Sequence, residues 1–498
     1  MRSKLVLFIL TVAGCLQLNA QVLDRDVLAK YKIYDEDRLS IRFHKSRRDS
    51  VRASLSDSSV ALFIASPVKN RANDVSYEYH QDPNFYYLTG HIQPNAALII
   101  TKTKDILFVD KKDASTEQWT GVRLGTEGAN ELLGFREAYP ITSLKEMLGK
   151  LLSKANTLYY ESPAPRGQYE VALDTTFSIW DQTVVIVKSR YPKLVVNSLR
   201  TRLNELRMRK TPEEMTLLRK AINISNGAHN EILRQVKPGW SEYQIQALGE
   251  YVFKKNGCEY TGYPCIVGAG NNGAVLHYIT NRAQTRDGDM VVMDIGGEYH
   301  GYTADVTRSF PVNGKFSTDQ RSIYNLVLEA QDSGIAQCRP GKPFKAAHTA
   351  AVKVIQKGLA KLGITKDTSE YRKYFMHGTS HYLGLDVHDP GTQGLLEPGI
   401  VMTVEPGIYI PEGSPCDEKW WGISCRIEDD VLINDTAAEI LSISSPRTAD
   451  DVEKMMMPTQ LVNQNARSRG RDSEAVPPPA SSTAPPATGR RTPPPVSR

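Results

Sequence analysis

The chain has 498 residues, enough for more than one domain with its own core. It is 40% hydrophobic and 23% charged with a formal net charge of +5, and no basic patch is interleaved with aromatics, which excludes a nucleic-acid binder. Beyond the leader no apolar run is long enough to span a bilayer, so the composition is that of a soluble globular protein.

Arg2 and Lys4 precede an apolar stretch from Leu5 to Leu16. A basic start followed by a short apolar run makes a secretory signal, assigned to residues 1–20. Two processing routes compete. Cleavage after Ala20 leaves Gln21 first and suits an apolar stretch that continues through Leu16 and Leu18. The alternative reads Val12-Ala13-Gly14-Cys15 as a lipobox, with a lipid anchor on Cys15. Either route makes the protein exported, periplasmic or secreted. Cys258, Cys265, Cys338, Cys416 and Cys425 remain, an odd number without a CxxC pair, and read mostly as buried small hydrophobes.

From 21 to 191, strand-like runs at Val60–Ala65, Ala96–Thr101 and Ile106–Val109 alternate with helical stretches at Glu117–Leu133 and Ser143–Lys154. This is the pattern of an α/β domain, and it carries no Gly-rich phosphate loop. Within it, Arg71-Ala72-Asn73-Asp74, Tyr77 and the run from Asp82 to Gly90 read either as a strand edge and a loop or as an aromatic wall facing a substrate. Residues 192–210 form a connector.

A second domain, 211–457, follows. Thr211-Pro212-Glu213-Glu214 opens a helix with a capping box, and Lys237-Pro238-Gly239 stops it. Ser241 and Gln244 cap a second helix that ends near Asn256-Gly257. Further helices are expected at Asp319–Cys338 and Ala346–Leu362. Helix pairs separated by strand hairpins predict an α+β domain. From 458 to 498 the chain turns rich in proline, arginine, serine and threonine, a disordered tail that lacks the apolar surface to offset its ordering entropy.

Between the helix pairs lies DMVVMDIGGEYHGYTADVTRSF, Asp289 to Phe310. It reads as two strands around a turn at Tyr299-His300. Asp294 and Asp305 are equidistant from that turn and would sit directly opposite, with Cβ atoms roughly 4.5–5.5 Å apart. Two carboxylates so placed repel unless cations lie between them. Downstream, Met376 to Asp389 holds His377, His381 and His388 in one Gly-rich loop. Val401–Val404 is an apolar strand that delivers Glu405, a carboxylate costly to bury unless paired or metal-bound. Gly422 to Ile433 reads as one further strand, with Arg426 and Glu428 on the same face.

Asp294, Asp305, His381, Glu405 and Glu428 together offer four carboxylates and one imidazole. These hard donors suit two divalent metal ions, Mn(II) foremost, with Co(II) or Zn(II) as alternatives. Two ions about 3.5–4 Å apart can hold a hydroxide and polarise a carbonyl, the equipment for amide hydrolysis. Asp305 and Glu428 are expected to bridge them.

The order of these five residues resembles the metallopeptidases of the pita-bread fold: methionine aminopeptidase, prolidase and aminopeptidase P. His277-Tyr278-Ile279-Thr280-Asn281, the loop from His377 to Asp389, and Arg426-Ile427-Glu428-Asp429-Asp430 look most like aminopeptidase P, the Xaa-Pro aminopeptidases. The segments from Arg71 to Gly90 and from Glu117 to Ala129 resemble that family's N-terminal domain. The resemblance implies a pita-bread catalytic domain preceded by an α/β domain of the aminopeptidase P/creatinase type. It implies the five metal ligands one by one, and peptides with a free N-terminus and proline at position two as substrates. It also implies a metal-bridged hydroxide as nucleophile, Glu405 as general acid/base, and His277, His377, His388 and Arg426 lining the substrate site, with His388, His277 and Arg426 catalytic in stabilising the tetrahedral intermediate and positioning the substrate, and His377 at the proline pocket. A homo-oligomer, dimer or tetramer, follows from the same likeness. The rival readings are a prolidase, restricted to dipeptides, and a catalytically silent binding module, which the complete ligand set opposes. Cys425, beside Arg426, is expected to make the site sensitive to oxidation.

Overall fold

The computed structural model describes residues 25–161, 169–171, 175–177 and 179–457. The leader with its two processing routes at Ala20 and Cys15, and the proline-rich tail from 458, lie outside the described residues. Among the described residues no helix is long and apolar enough to cross a membrane.

The N-terminal part is built on a six-stranded mixed sheet. Its central strand, Ser59–Ile64, pairs in parallel with Thr157–Glu161 and antiparallel with Ala97–Thr101. Buried along almost its whole length, that strand is apolar from Val60 to Ile64 without alternation. Asp105–Val109 and then Glu137–Pro140 extend the sheet on one side. On the other side the outermost strand is Val195–Asn197, from the segment read as a connector. The same segment then forms the helix Arg200–Met208.

Two sequence expectations fail in this part, both for capping reasons. The run from Asp82 to Gly90 is neither strand edge nor loop but the helix Pro83–Thr89. The Asp82 side chain accepts from the Phe85 N–H, Pro83 opens the first turn, and Gly90 closes it with φ of 70°. The expected helix Glu117–Leu133 is split into Ala114–Thr120 and Gly125–Glu131 at Gly121, whose φ of 80° ends the first piece.

The C-terminal part is α+β. Its long helix Pro212–Gln235 starts on the expected capping box: Thr211 accepts from the Glu214 N–H, and Glu214 accepts from the Thr211 N–H at 2.7 Å. The other oxygen of Glu214 accepts from the Tyr302 hydroxyl at 3.0 Å, so the helix start also fixes the hairpin that carries Asp305. Thr211→Ala is expected to cost about 1 kcal/mol, read as a lower urea midpoint at unchanged slope. The helices Glu242–Lys255, Thr318–Ile335 and Ala346–Lys361 surround small antiparallel sheets.

The hairpin register differs from the expected one. Tyr299 pairs with Tyr302, so the turn is His300-Gly301, with φ of 49° and 84°. Positive φ at both central residues is what a tight two-residue hairpin of right-handed twist requires, and glycine tolerates it best at the second position. Moving the turn by one residue moves every partner by two. Asp294 therefore lies opposite Thr307, not Asp305. Because strand side chains alternate with period two, Asp305 keeps the face it was expected to have.

The stretch Gly422–Ile433 is also not one strand. Ile423–Arg426 pairs with Gly407–Ile410, while Asp429–Ile433 pairs with Val401–Val404. Ile427 and Glu428 form the step between two sheets, and the Glu428 N–H donates to the Thr307 carbonyl at 3.1 Å.

Candidate metal centre

The step in the chain at Glu428, the end of the strand Val401–Val404 and the arm after the His300-Gly301 turn bring their carboxylates together. One ligand atom each from Asp305, His381 and Glu428 lie within 4.8 Å of one another. His381 Nε2 is 3.3 Å from Asp305 Oδ2 and 3.7 Å from Glu405 Oε1. Its Nδ1 sits 3.0 Å from the Tyr382 carbonyl, which can only accept, so Nδ1 carries the proton. Against burial, Asp305 and Glu405 hold the His381 pKa up at about 9, so in the metal-free protein Nε2 carries a proton as well, directed at the two carboxylates, and a cation would take that proton's place. Asp294 joins through Tyr263, whose hydroxyl is 2.5 Å from Asp294 Oδ1 and 2.7 Å from Asp305 Oδ1. Thus the structure brings all five expected ligands to one place, and Asp305 and Glu428, expected to bridge, share the tightest space with His381.

Electrostatics of the protein alone give a test of fit. Burial, then the charges of Asp305, Glu405 and Asp294, push the Glu428 carboxyl far above its ordinary range. Burial and the two aspartates likewise hold Glu405 up at about 7, against the pull of His381 and Arg426. Asp294 is raised to about 6 by burial and Asp305, although Arg426 and Tyr263 favour its charged form. Asp305 alone is lowered: burial opposes ionisation, but His381 and Tyr263 outweigh it. Four carboxylates sharing one proton-rich imidazole are short of positive charge, and divalent cations supply it. The donor set therefore fits two such ions.

The remaining site residues divide into two flanks. On one, Arg426 is buried and directs its donors inward: Nη2 to Asp294 Oδ2 at 2.5 Å, Nη1 to the Tyr409 hydroxyl at 3.0 Å, and Nε to Thr307 Oγ1 at 3.1 Å. The Nδ1–H of His377 donates to the Gly378 carbonyl at 2.6 Å, so its Nε2 accepts from the Tyr409 hydroxyl at 2.9 Å. Burial, with Arg426 nearby, lowers the His377 pKa to about 4, and the ring is neutral. On the other flank His388 is exposed, its ring edge-on to His381 with centroids 4.4 Å apart. His277 stands in an exposed loop, near enough to depress the pKa of both His377 and His388.

Cys425 does not behave as expected. It lies on the strand Ile423–Arg426, fully buried on the face opposite Arg426, and burial pushes its thiol up to about 12. A protonated, inaccessible thiol is a poor target for oxidants. The described cysteines are free.

Three contributors escaped the sequence reading. Thr307 donates to Glu428 Oε2 at 2.6 Å while accepting from Arg426, and strand alternation two residues beyond Asp305 was a signal for it. Tyr409 joins His377 to Arg426. Tyr263 lies far upstream of the carboxylates it links, and no local pattern marks it. Behind the site, Arg308 is fully buried, donating to Asp429 Oδ1 at 2.7 Å and to the Glu428 carbonyl at 2.6 Å, which fixes the backbone on both sides of the metal ligand.

Known proteins share this architecture. A family model described as metallopeptidase family M24 matches residues 216–435, and one described as the aminopeptidase P N-terminal domain matches residues 44–159. A protein named Xaa-Pro aminopeptidase from Escherichia coli K12 is 37% identical over 440 residues, covering 82% of this chain and 96% of its own length. One of the same name from Haemophilus influenzae is 37% identical over 428 residues, covering 83% and 96%. The solved structure of Escherichia coli aminopeptidase P with the inhibitor Pro-Leu superposes with a TM-score of 0.77 at 36% identity, covering 84% of this chain and 98% of that one.

Proposed function

Since the chain belongs to the aminopeptidase P family, with a metallopeptidase M24 catalytic domain, we propose that it hydrolyses the bond between an N-terminal residue and a following proline. The observation that carries this reading is the complete convergence of Asp294, Asp305, His381, Glu405 and Glu428 beside the exposed His388. A catalytically silent module would have no reason to keep so costly a buried cluster.

Divalent cations held by those five residues would supply the charge that acidifies a water and polarises the scissile carbonyl, and the hard oxygen-rich donors support manganese over cobalt or zinc. The protein's own groups do the rest. Glu405, at the rim of the cluster with its side chain 17% exposed, takes a proton from the attacking water and returns it to the proline nitrogen. His388 stands free to donate to the carbonyl oxygen as charge grows on it. His277, in its exposed loop, helps seat the peptide. His377 and Tyr409 wall the flank that receives the proline ring. Arg426 has its donors on Asp294, Tyr409 and Thr307, and holds them in place.

Export is supported by the basic and apolar leader, with cleavage after Ala20 favoured over lipid on Cys15. Self-association into dimers or tetramers is supported by the family likeness.

The test is a peptide panel after chelation, with and without returned Mn(II). Ala-Pro-Ala should be cleaved and Ala-Ala-Ala, or Ala-Pro-Ala with a blocked amine, should not. Cleavage confined to Xaa-Pro dipeptides would assign the protein as a prolidase instead. His388→Ala is expected to lower kcat by about 10²–10³-fold with metal content unchanged. Undiminished turnover would remove His388 from the mechanism.

A further inference from the structure

On several helices a surface cation has a carboxylate three or four residues away. Lys45 pairs with Asp49, Lys150 with Glu146 and Arg202 with Glu205. The helix Ala346–Lys361 departs from that pattern. Ala347, Ala351, Ile355 and Leu359 are its buried row. Lys345, Lys353, Lys357 and Lys361 lie two residues from that row, about 200° around the axis, and all four are exposed. With Thr349 they make one straight ridge of i,i+4 neighbours, about 24 Å long. None of the four forms an ion pair among the described residues. From Arg339 to Lys366 the chain carries no aspartate or glutamate.

The arrangement is unfavourable for the helix itself. Lys353 and Lys357, and again Lys357 and Lys361, are like charges one turn apart, which destabilise a helix. Lys345 occupies the N-cap, makes no capping bond and sets a cation at the positive end of the helix dipole. Only Lys361, in the last turn, suits that dipole. Folding gains little from this charge, which points to a partner outside the chain.

We infer that the ridge is a docking surface for an anionic lipid bilayer. Its charges lie along a line on a convex helix, which suits a flat surface and not one small anion. All four are lysines, compact charges that attract phosphate without the fixed fork by which arginine reads a single group. The helix carries no Phe, Tyr or Trp to stack on a base, which sets nucleic acid aside. Under the proposed export the chain passes such a surface. The inference is independent of which peptide the enzyme cleaves.

The test is co-sedimentation of the full-length protein with vesicles of phosphatidylcholine, with and without phosphatidylglycerol. Binding is expected on the anionic vesicles at about 0.05 M salt, with release at about 0.5 M, and not on the neutral ones. Each lysine near an anionic surface is worth about fivefold in partition, so Lys353→Gln/Lys357→Gln/Lys361→Gln should lower it by about a hundredfold. The control Lys111→Gln/Lys145→Gln/Lys154→Gln takes the same net charge from exposed positions of the N-terminal domain and should change it little. An unchanged thermal midpoint reports that each variant is folded. Absence of binding by the wild type, equal binding to neutral vesicles, or an equal loss in the control overturns the inference. So does a ridge variant that keeps its vesicle binding but loses retention on immobilised heparin, which would give the ridge to a sulfated polysaccharide.

Discussion

Glu428→Gln is expected to lower peptide hydrolysis by more than about a hundredfold while leaving the metal-free protein as stable as the wild type, or more so. Outer partners of metal ligands already change affinity or activity by about 10–100-fold, and a ligand itself counts for more. Glutamine keeps the shape and can still accept from Thr307 Oγ1, now at 2.6 Å from the carboxylate. What it removes is a charge that burial and the neighbouring carboxylates of Asp305, Glu405 and Asp294 oppose. The same charge is what a divalent cation needs. Stability and activity should therefore move apart, and the two are separable: elemental analysis reads bound metal, and thermal unfolding with and without chelator reads stability. A variant with full metal content and full activity would show that Glu428 is no ligand. A metal-free variant much less stable than the metal-free wild type would show that its role is structural.

The second large effect concerns a buried ion cluster outside the metal site. Asp389, directly after His388, binds Arg207 Nη2 at 2.5 Å and Lys210 Nζ at 2.8 Å, with the side chains of all three almost wholly buried. Arg207 lies on the helix Arg200–Met208 that leads into the catalytic part, so the cluster ties that segment to the His388 loop. Asp389→Ala takes away the carboxylate partner of the buried Lys210 and leaves Arg207 with Asp386 alone, and is expected to cost about 3–5 kcal/mol, because an uncompensated buried charge is worse than no pair at all. The sign with pH follows from Asp389's lowered pKa. Burial alone would raise it, but Arg207 and then Lys210 outweigh burial. A depressed carboxyl pKa gives stability that is fully present above the unfolded value, about 3.9, and is lost as pH falls through the lower folded value. The gap between wild type and Asp389→Ala should thus be full at pH 7 and narrow below about pH 3.9. Urea unfolding at both pH values reads this. A gap independent of pH would mean that the cluster contributes by packing rather than by charge.

Much of the site was legible in the sequence. A carboxylate placed at the end of an apolar strand, as Glu405 is, or two on one face of a hairpin, as Asp294 and Asp305 are, is expensive for a protein and so stands out in a sequence. Helix starts were equally readable: the Thr211/Glu214 and Ser241/Gln244 boxes both formed as expected, because capping depends on residues three apart. The misreadings were also local in origin. The hairpin turn was centred one residue early because positive φ at His300-Gly301, not symmetry about the aspartates, sets the register. The helix Pro83–Thr89 was missed because its aromatic content resembled a strand, although Asp82, Pro83 and Gly90 carried its start and stop.

The sequence by itself determined the chemistry: which donors exist, that they are hard, that they come from strands and a glycine-rich loop, and that their order is that of a metallopeptidase. These depend on residue type and on spacings of a few positions, which neighbouring residues enforce. Only the tertiary structure decided how Tyr263 joins Asp294 to Asp305, how Arg426 is turned inward, and how Arg207 reaches Asp389. It also decided that His80 of one domain meets Glu298 of the other. Those contacts join residues far apart in the chain, and their formation is dictated by how whole elements pack, which no local pattern records.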